Sequence, residues 1–171
     1  VLLRPRDDVD GVRSGLRTSS SVLNPVLSKG EPNVVWYAMD ANSSDADKWP
    51  DIGGDSGLPY SSILDNYMLI NTELADSTGA KIGDSMEVHW NTLDLTTGMH
   101  LKAVENFTVQ AIVNNVDTGH TNSRDALMFT TLSQAQVVLE KEGLVNHFEI
   151  SATGTGTDSL VAEEGLVPVV W

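Results

Sequence analysis

Cysteine is absent from the 171 residues. That excludes thiol nucleophiles, thiolate metal centres and a disulfide framework, and it leaves the compartment open, because many extracytoplasmic proteins fold without disulfides. Positive charge is scarce: Lys and Arg number 10 against 24 Asp and Glu, a formal charge of -14. The basic residues are scattered and build no polybasic patch, so the surface repels nucleic-acid phosphates and anionic lipid headgroups. No nucleic-acid partner is expected. An acidic excess also suits a saline habitat, so charge by itself does not name a function. Long apolar runs are missing too; none approaches the ~18 residues that a spanning helix needs. The chain does not begin with Met and lacks a charged-then-apolar signal pattern, and is therefore expected to be a processed protein or an internal piece of one. Aromatics make up only 6%, four of them Trp (Trp36, Trp49, Trp90 and Trp171).

What is present is enough apolar material, 40% of the residues, for one domain with a core or two small packed subdomains. Val9, Val12 and Leu16 are spaced to line one face of a short helix. The following SSVLNPVLSKGEP reads as an extended segment stopped by Pro25, Gly30 and Pro32. NVVWYAM (33–39) is the first clear strand. Residues 40–61 are a long Asp-, Ser-, Gly- and Pro-rich loop, with Trp49, Ile52 and Leu58 to pin it down. YMLIN (67–71) is a second strand, and a short helix follows over 72–79, capped by Asn71 or Thr72 and ended by Gly79. SMEVHW (85–90) alternates as a strand does. Residues 91–104 suggest a hairpin around Gly98, Glu105 and Asn106 break the pattern, and FTVQAIV (107–113) alternates again. After a polar loop at 114–125, residues 126–130 form a strand. Residues 131–143 form a helix with Ser133 and Gln136 at capping-box spacing and Leu132 and Val137 at staple positions, and 145–151 form another strand. Residues 126–151 are thus a β-α-β unit.

Residues that could carry chemistry do not assemble into motifs. His89, His100, His120 and His147 include no pair at ligand spacing. Asp40, Asn42 and Ser44, with Asp45, Asp47, Asp51 and Asp55, have the oxygen density of a calcium loop. An EF-hand, however, requires Gly where Asp45 stands and Glu where Asp51 stands, so the run reads as a solvated acidic loop. No G-x-S-x-G elbow occurs, and GTGTDS (154–159) lacks both the dinucleotide spacing and a following helix. Asn42 and Asn106 begin glycosylation-type tripeptides, Asn42 in the better-exposed context. Trp36 and Trp90 lie at strand positions that suit packing; Trp49, in the acidic loop, is the candidate contact for a ligand or partner. No catalytic, cofactor-binding or metal-binding residue is assigned, and no cofactor is expected.

YMLINTELADSTGAKIGDSMEVHW with FTVQAIVNNV has a specific layout. A strand ends at Asn71; a short helix carries Glu73, Leu74 and Ala75; Gly79 and the turn Lys81-Ile82-Gly83-Asp84 lead into a strand. Downstream, MFTTLSQAQVVLEKEGLVNHFEIS gives a strand, a helix with Leu132, Ala135, Gln136 and Leu139, and a strand with Val145, Phe148 and Ile150. Over about 65–151 this resembles the extracytoplasmic (periplasmic core) domain of the MacB/FtsX-like ABC transporter permease family, which includes the lipoprotein-release permeases. The resemblance implies an α+β fold of two intimately packed subdomains: a discontinuous α/β part (1–60 and 121–171), holding the β-α-β unit, interrupted by a small strand-rich insertion (61–120). It implies a location on the extracytoplasmic side of the cell membrane, between transmembrane helices flanking Val1 and Trp171, and no enzymatic activity. The implied partners are the rest of the permease with those helices, a cytoplasmic ATP-binding subunit or domain, a second permease copy and an extracytoplasmic protein. The role implied is mechanical coupling of the ATPase cycle to substrate or partner handling outside the membrane.

Two other classes fit the composition. A secreted carbohydrate- or calcium-binding module would use Trp49 and the 40–55 loop and would be stabilised by its ligand. A secreted hydrolase would need paired carboxylates converging in a cleft.

Overall fold

A computed structural model describes residues 9–41, 52, 58–93, 96–114 and 125–152. Seven strands and two helices follow in the order β1 (Val9–Asn24), β2 (Lys29–Met39), β3 (Tyr67–Asn71), α1 (Thr72–Thr78), β4 (Ser85–Leu93), β5 (His100–Val113), β6 (Ala126–Thr131), α2 (Leu132–Val138) and β7 (His147–Ala152), with one 3-10 turn at Tyr60–Ser62. All seven strands share one mixed sheet. It closes on itself through β1-β2-β6-β3-β5-β4 and back to β1, and β7 adds to the first half of β1. The fold is α+β, as expected: a small barrel with two short helices among its strands. The two strands of the β6-α2-β7 unit lie in one sheet, with β2 and β1 between them.

The barrel interior holds Trp36, Met68, Ile70, Met86, Phe107 and Met128 with their smaller neighbours. Trp36 is 1% exposed; its indole N–H donates to Thr130 Oγ1 at 2.8 Å, and its ring meets Phe107 and Trp90 edge-on at 5.6 and 6.0 Å. The helices close the two ends. α1 contributes Leu74 and Ala75 at the end where β3 stops and β6 begins; α2 contributes Ala135 at the opposite end, followed by Leu139. Asn71 joins the first end together. Its Oδ1 accepts from Leu74 N–H (3.1 Å) and Leu127 N–H (2.9 Å), and its Nδ2 donates to Asp125 C=O (2.7 Å). One buried amide thus caps a helix and starts a strand. Gly79 ends α1 in the left-handed region at φ 65°, as its position predicts.

A second apolar layer covers the outer face of β2, β6 and β3. Tyr37, Met39, Leu127, Phe129 and Leu69 lie beneath Ile52, Tyr60 and Ile63, and Ile52 bridges Leu58. These contacts pin the 40–61 loop as expected at Ile52 and Leu58; Trp49 lies outside the described residues.

Several local expectations are corrected. Residues 9–16 are strand, not helix: they form β1, whose Leu16, Ser20, Val22 and Asn24 are buried. Pro25 begins a turn, and β2 starts at Lys29 and runs through Gly30 and Pro32. The buried Asn24 shapes that turn by accepting from Val26 and Leu27 N–H at 3.2 and 3.3 Å. Glu105 and Asn106 do not interrupt β5, because both keep ladder partners in β4, Val88 and Glu87. α2 is capped by Thr131, two residues before Ser133, with Gln134 N–H as donor at 3.3 Å; it ends at Val138, and Val137 is exposed, so no staple forms.

Candidate interaction surface

β1 is long enough to take two different partners along one edge. Its other edge pairs with β2 from Gly15↔Met39 to Asn24↔Lys29. On the first edge β7 pairs over Val9 to Gly15, and β4 pairs over only Ser21, Val22 and Leu23 (with His89, Val88 and Glu87). Between these two ladders the Asn146 side chain takes the place of a strand: its Oδ1 accepts from Arg17 N–H at 2.8 Å and its Nδ2 donates to Arg17 C=O at 3.0 Å. Ser19, exposed and two residues further along, meets no strand on that side among the described residues. The barrel wall therefore has a seam between β1 and β4. An open cleft of about 650 Å³ lies there, lined by Ser19 and Ser21, Glu31, His89, Trp90 and Lys102 among others.

Beside the seam, where β7 folds against β1, a polar cluster borders the outer apolar layer. Arg13 Nε donates to Glu149 Oε2 at 2.6 Å, with the two side chains only 10% and 16% exposed. Glu149 Oε1 is 3.5 Å from His147 Nε2. The Arg13 guanidinium sits 5.0 Å over the Tyr60 ring, Arg17 sits 5.5 Å over Tyr37, and His147 meets Tyr37 edge-on at 5.8 Å. Burial pushes the Tyr60 phenol well above its ordinary value of 10.0, with Arg13 opposing the shift; burial also raises Tyr37, against Arg17. Among the described residues the arrangement is that of a structural ion pair, one cation and one carboxylate joined to each other.

The structure scatters the sequence-level candidates. His89 lies beside Glu87 at 3.2 Å on the barrel's outer side, His100 is exposed on β5, and His147 belongs to the cluster just described; His120 lies outside the described residues. Of the acidic run, Asp40 donates its backbone N–H to Ser14 C=O; Asn42, Ser44, Asp45, Asp47, Asp51 and Asp55 lie outside the described residues. Among the described residues no group of three or more His, Asp or Glu could hold a metal ion, and no helix is long and apolar enough to cross a membrane. Trp36 and Trp90 pack as expected, and Asn106 is exposed. Sequence reasoning missed the whole seam. Asn24-Pro25 was the available signal, since a turn there makes the residues before it one arm of a hairpin.

No family model matches the sequence, and no curated protein matches it. Fourteen solved chains match in fold. One is the crystal structure of the periplasmic region of MacB from Actinobacillus actinomycetemcomitans, with a TM-score of 0.52 and 12% sequence identity over 96% of this chain and 67% of that chain. The fold of this chain is related to that periplasmic region.

Proposed function

We propose that the chain is a non-catalytic extracytoplasmic domain of an ABC transporter permease. It would couple a cytoplasmic ATPase cycle mechanically to the handling of a substrate or partner outside the membrane. The observation that carries the reading is the fold correspondence over 96% of the chain to a MacB periplasmic region. It is supported by the order of the β3-α1-β4 and β6-α2-β7 segments, on which the sequence resemblance independently rests. Both barrel ends are plugged by helices and the interior is filled by large side chains, as suits a stiff body that transmits displacement. On this reading residues 61–120 are the inserted part of the domain. Its partners are the remaining permease with helices flanking Val1 and Trp171, an ATP-binding subunit or domain, a second permease copy and an extracytoplasmic protein.

The absence of cysteine from the chain makes the test clean. Val26, at the tip of the β1–β2 hairpin, is 87% exposed. Val26→Cys in the full-length gene product, with any cysteine elsewhere replaced, should react with a membrane-impermeant maleimide in intact cells. Labelling only after lysis overturns the location. In the purified permease with its ATP-binding partner, the labelling rate should change when a non-hydrolysable ATP analogue is added; an unchanged rate removes the coupling role.

A further inference from the structure

The seam has the form of an unfinished strand pairing. In an antiparallel ladder, alternate residues direct both backbone groups to the same neighbour. Gly15 C=O accepts from Asn146 N–H, and both backbone groups of Arg17 meet the Asn146 amide, so the odd-numbered residues of β1 face this edge. Ser21 and Leu23 then face β4, opposite His89 and Glu87. Extending that register sets Ser19 opposite Asn91, yet the β1–β4 pairing stops at Ser21↔His89. β4 itself continues to Leu93, held on its other side by β5 through the alternate pairs Trp90↔Ala103 and Thr92↔Leu101. The backbone groups of Asn91 and Leu93 that point away from β5 therefore line the opening, with Ser19 across it. Such an edge is a template for one more strand.

The Asn146 amide shows what the edge accepts, because it supplies one donor and one acceptor to Arg17 as a peptide group would. The cleft is also furnished for side chains: Trp90 is half-buried in its wall, and Glu31, His89 and Lys102 border it. The free edge of β7 is a weaker candidate, because the chain continues from it into residues outside the described ones.

We infer that the seam is a docking site for an extended segment of a partner protein, which pairs with the 91–93 edge of β4 as an added strand. The chain's charge of -14 selects a segment of net positive charge, and Trp90 selects one with apolar residues at alternate positions. The inference concerns the chain itself, so its failure is separate from that of the membrane location tested above.

The test uses capped peptides of alternating lysine and valine, titrated against the chain while backbone amide resonances are followed. Binding should shift Ser19, Asn91 and Leu93. N-methylation of alternate peptide residues keeps charge and apolar content but removes the ladder, and should weaken binding by at least about tenfold. A glutamate–valine peptide should not bind. Asn91→Pro, which deletes an N–H directed into the seam and none used by β5, should weaken binding similarly. If that variant fails to fold, the N-methylated comparison still decides. Equal binding of plain and methylated peptides, shifts confined to β7, or no binding of the lysine–valine peptide overturns the inference.

Discussion

The two halves of the sheet differ in how many of their faces are covered. β2, β6 and β3 are buried on both: Trp36, Met128 and Ile70 face the barrel interior, and Tyr37, Phe129 and Leu69 face the outer layer. β1, β4 and β5 have an interior face and, over much of their length, an exposed one. Strands covered on both faces need apolar residues at every position, whereas strands covered on one face need them at every second position. The contrast extends to chemistry. Among the described residues the interior is uncharged, with the Trp36 indole N–H satisfied by Thr130, whereas the outer layer is bordered by the Arg13–Glu149 pair. Stability should therefore respond to different insults on the two sides.

The interior should give the largest response. Trp36→Ala removes the ring that meets both Phe107 and Trp90 and leaves a cavity in the middle of the barrel. A loss of about 3–5 kcal/mol is expected in urea unfolding. A loss below about 1 kcal/mol would mean the interior collapses around the gap and is not the rigid half of the comparison.

Next comes the charged border of the outer layer. Glu149→Ala removes one member of a nearly buried ion pair and should cost about 3 kcal/mol. Arg13→Met combined with Glu149→Leu should recover most of that, because the penalty comes from removing one member of a buried pair and not from replacing the whole pair by packing. A double variant as unstable as the single one would show that the pair supplies something packing cannot replace.

Gly15 tests where the two regions meet. A Cβ there would overlap Met39 Sδ, in the outer layer, and lie 2.7 Å from the Ala38 carbonyl oxygen. Gly15→Ala should destabilise by about 1–3 kcal/mol, with faster amide exchange in β7 and the first half of β1 than in β3. Uniformly faster exchange would indicate that the outer layer and the interior open as one unit.

The same comparison explains what was legible in the sequence. NVVWYAM, YMLIN and ALMFT stand out because both faces of β2, β3 and β6 are buried, so their apolar runs are unbroken. β3 and α1 were read nearly to the residue, because Asn71 and Gly79 have local jobs that local chemistry reveals, whereas β4 runs on to Leu93, past the expected end at Trp90. β1 was misread for the opposite reason. Ser20 and Asn24 hold buried interior positions, which erases the strand alternation, while Val9, Val12 and Leu16 happen to fall at helical spacing. β5 was cut at Glu105 and Asn106, polar residues that tertiary pairing keeps in the ladder. Asn24-Pro25 signals only the hairpin; the seam itself arises from where β1 changes partner, a matter of three-dimensional register that this turn does not encode.

The smallest effect at neutral pH, and the most discriminating with pH, is expected from Tyr60. Its hydroxyl is buried with no hydrogen-bond partner among the described residues, so Tyr60→Phe should leave stability unchanged or raise it slightly near pH 7. In alkali the native and variant chains should diverge. The folded phenol titrates above the ordinary 10.0, so between that value and its raised folded value the native state binds more protons than the unfolded chain. Stability must then fall as pH rises, by up to about 1.4 kcal/mol per pH unit for this one group. Tyr60→Phe should flatten that fall above pH 10.0, and Tyr37→Phe should flatten it less, since Arg17 offsets part of the burial there. A wild-type stability curve in urea that stays level above pH 10.0, or one that Tyr60→Phe leaves equally steep, would mean that the outer layer admits water to the phenol and is not sealed as the interior is.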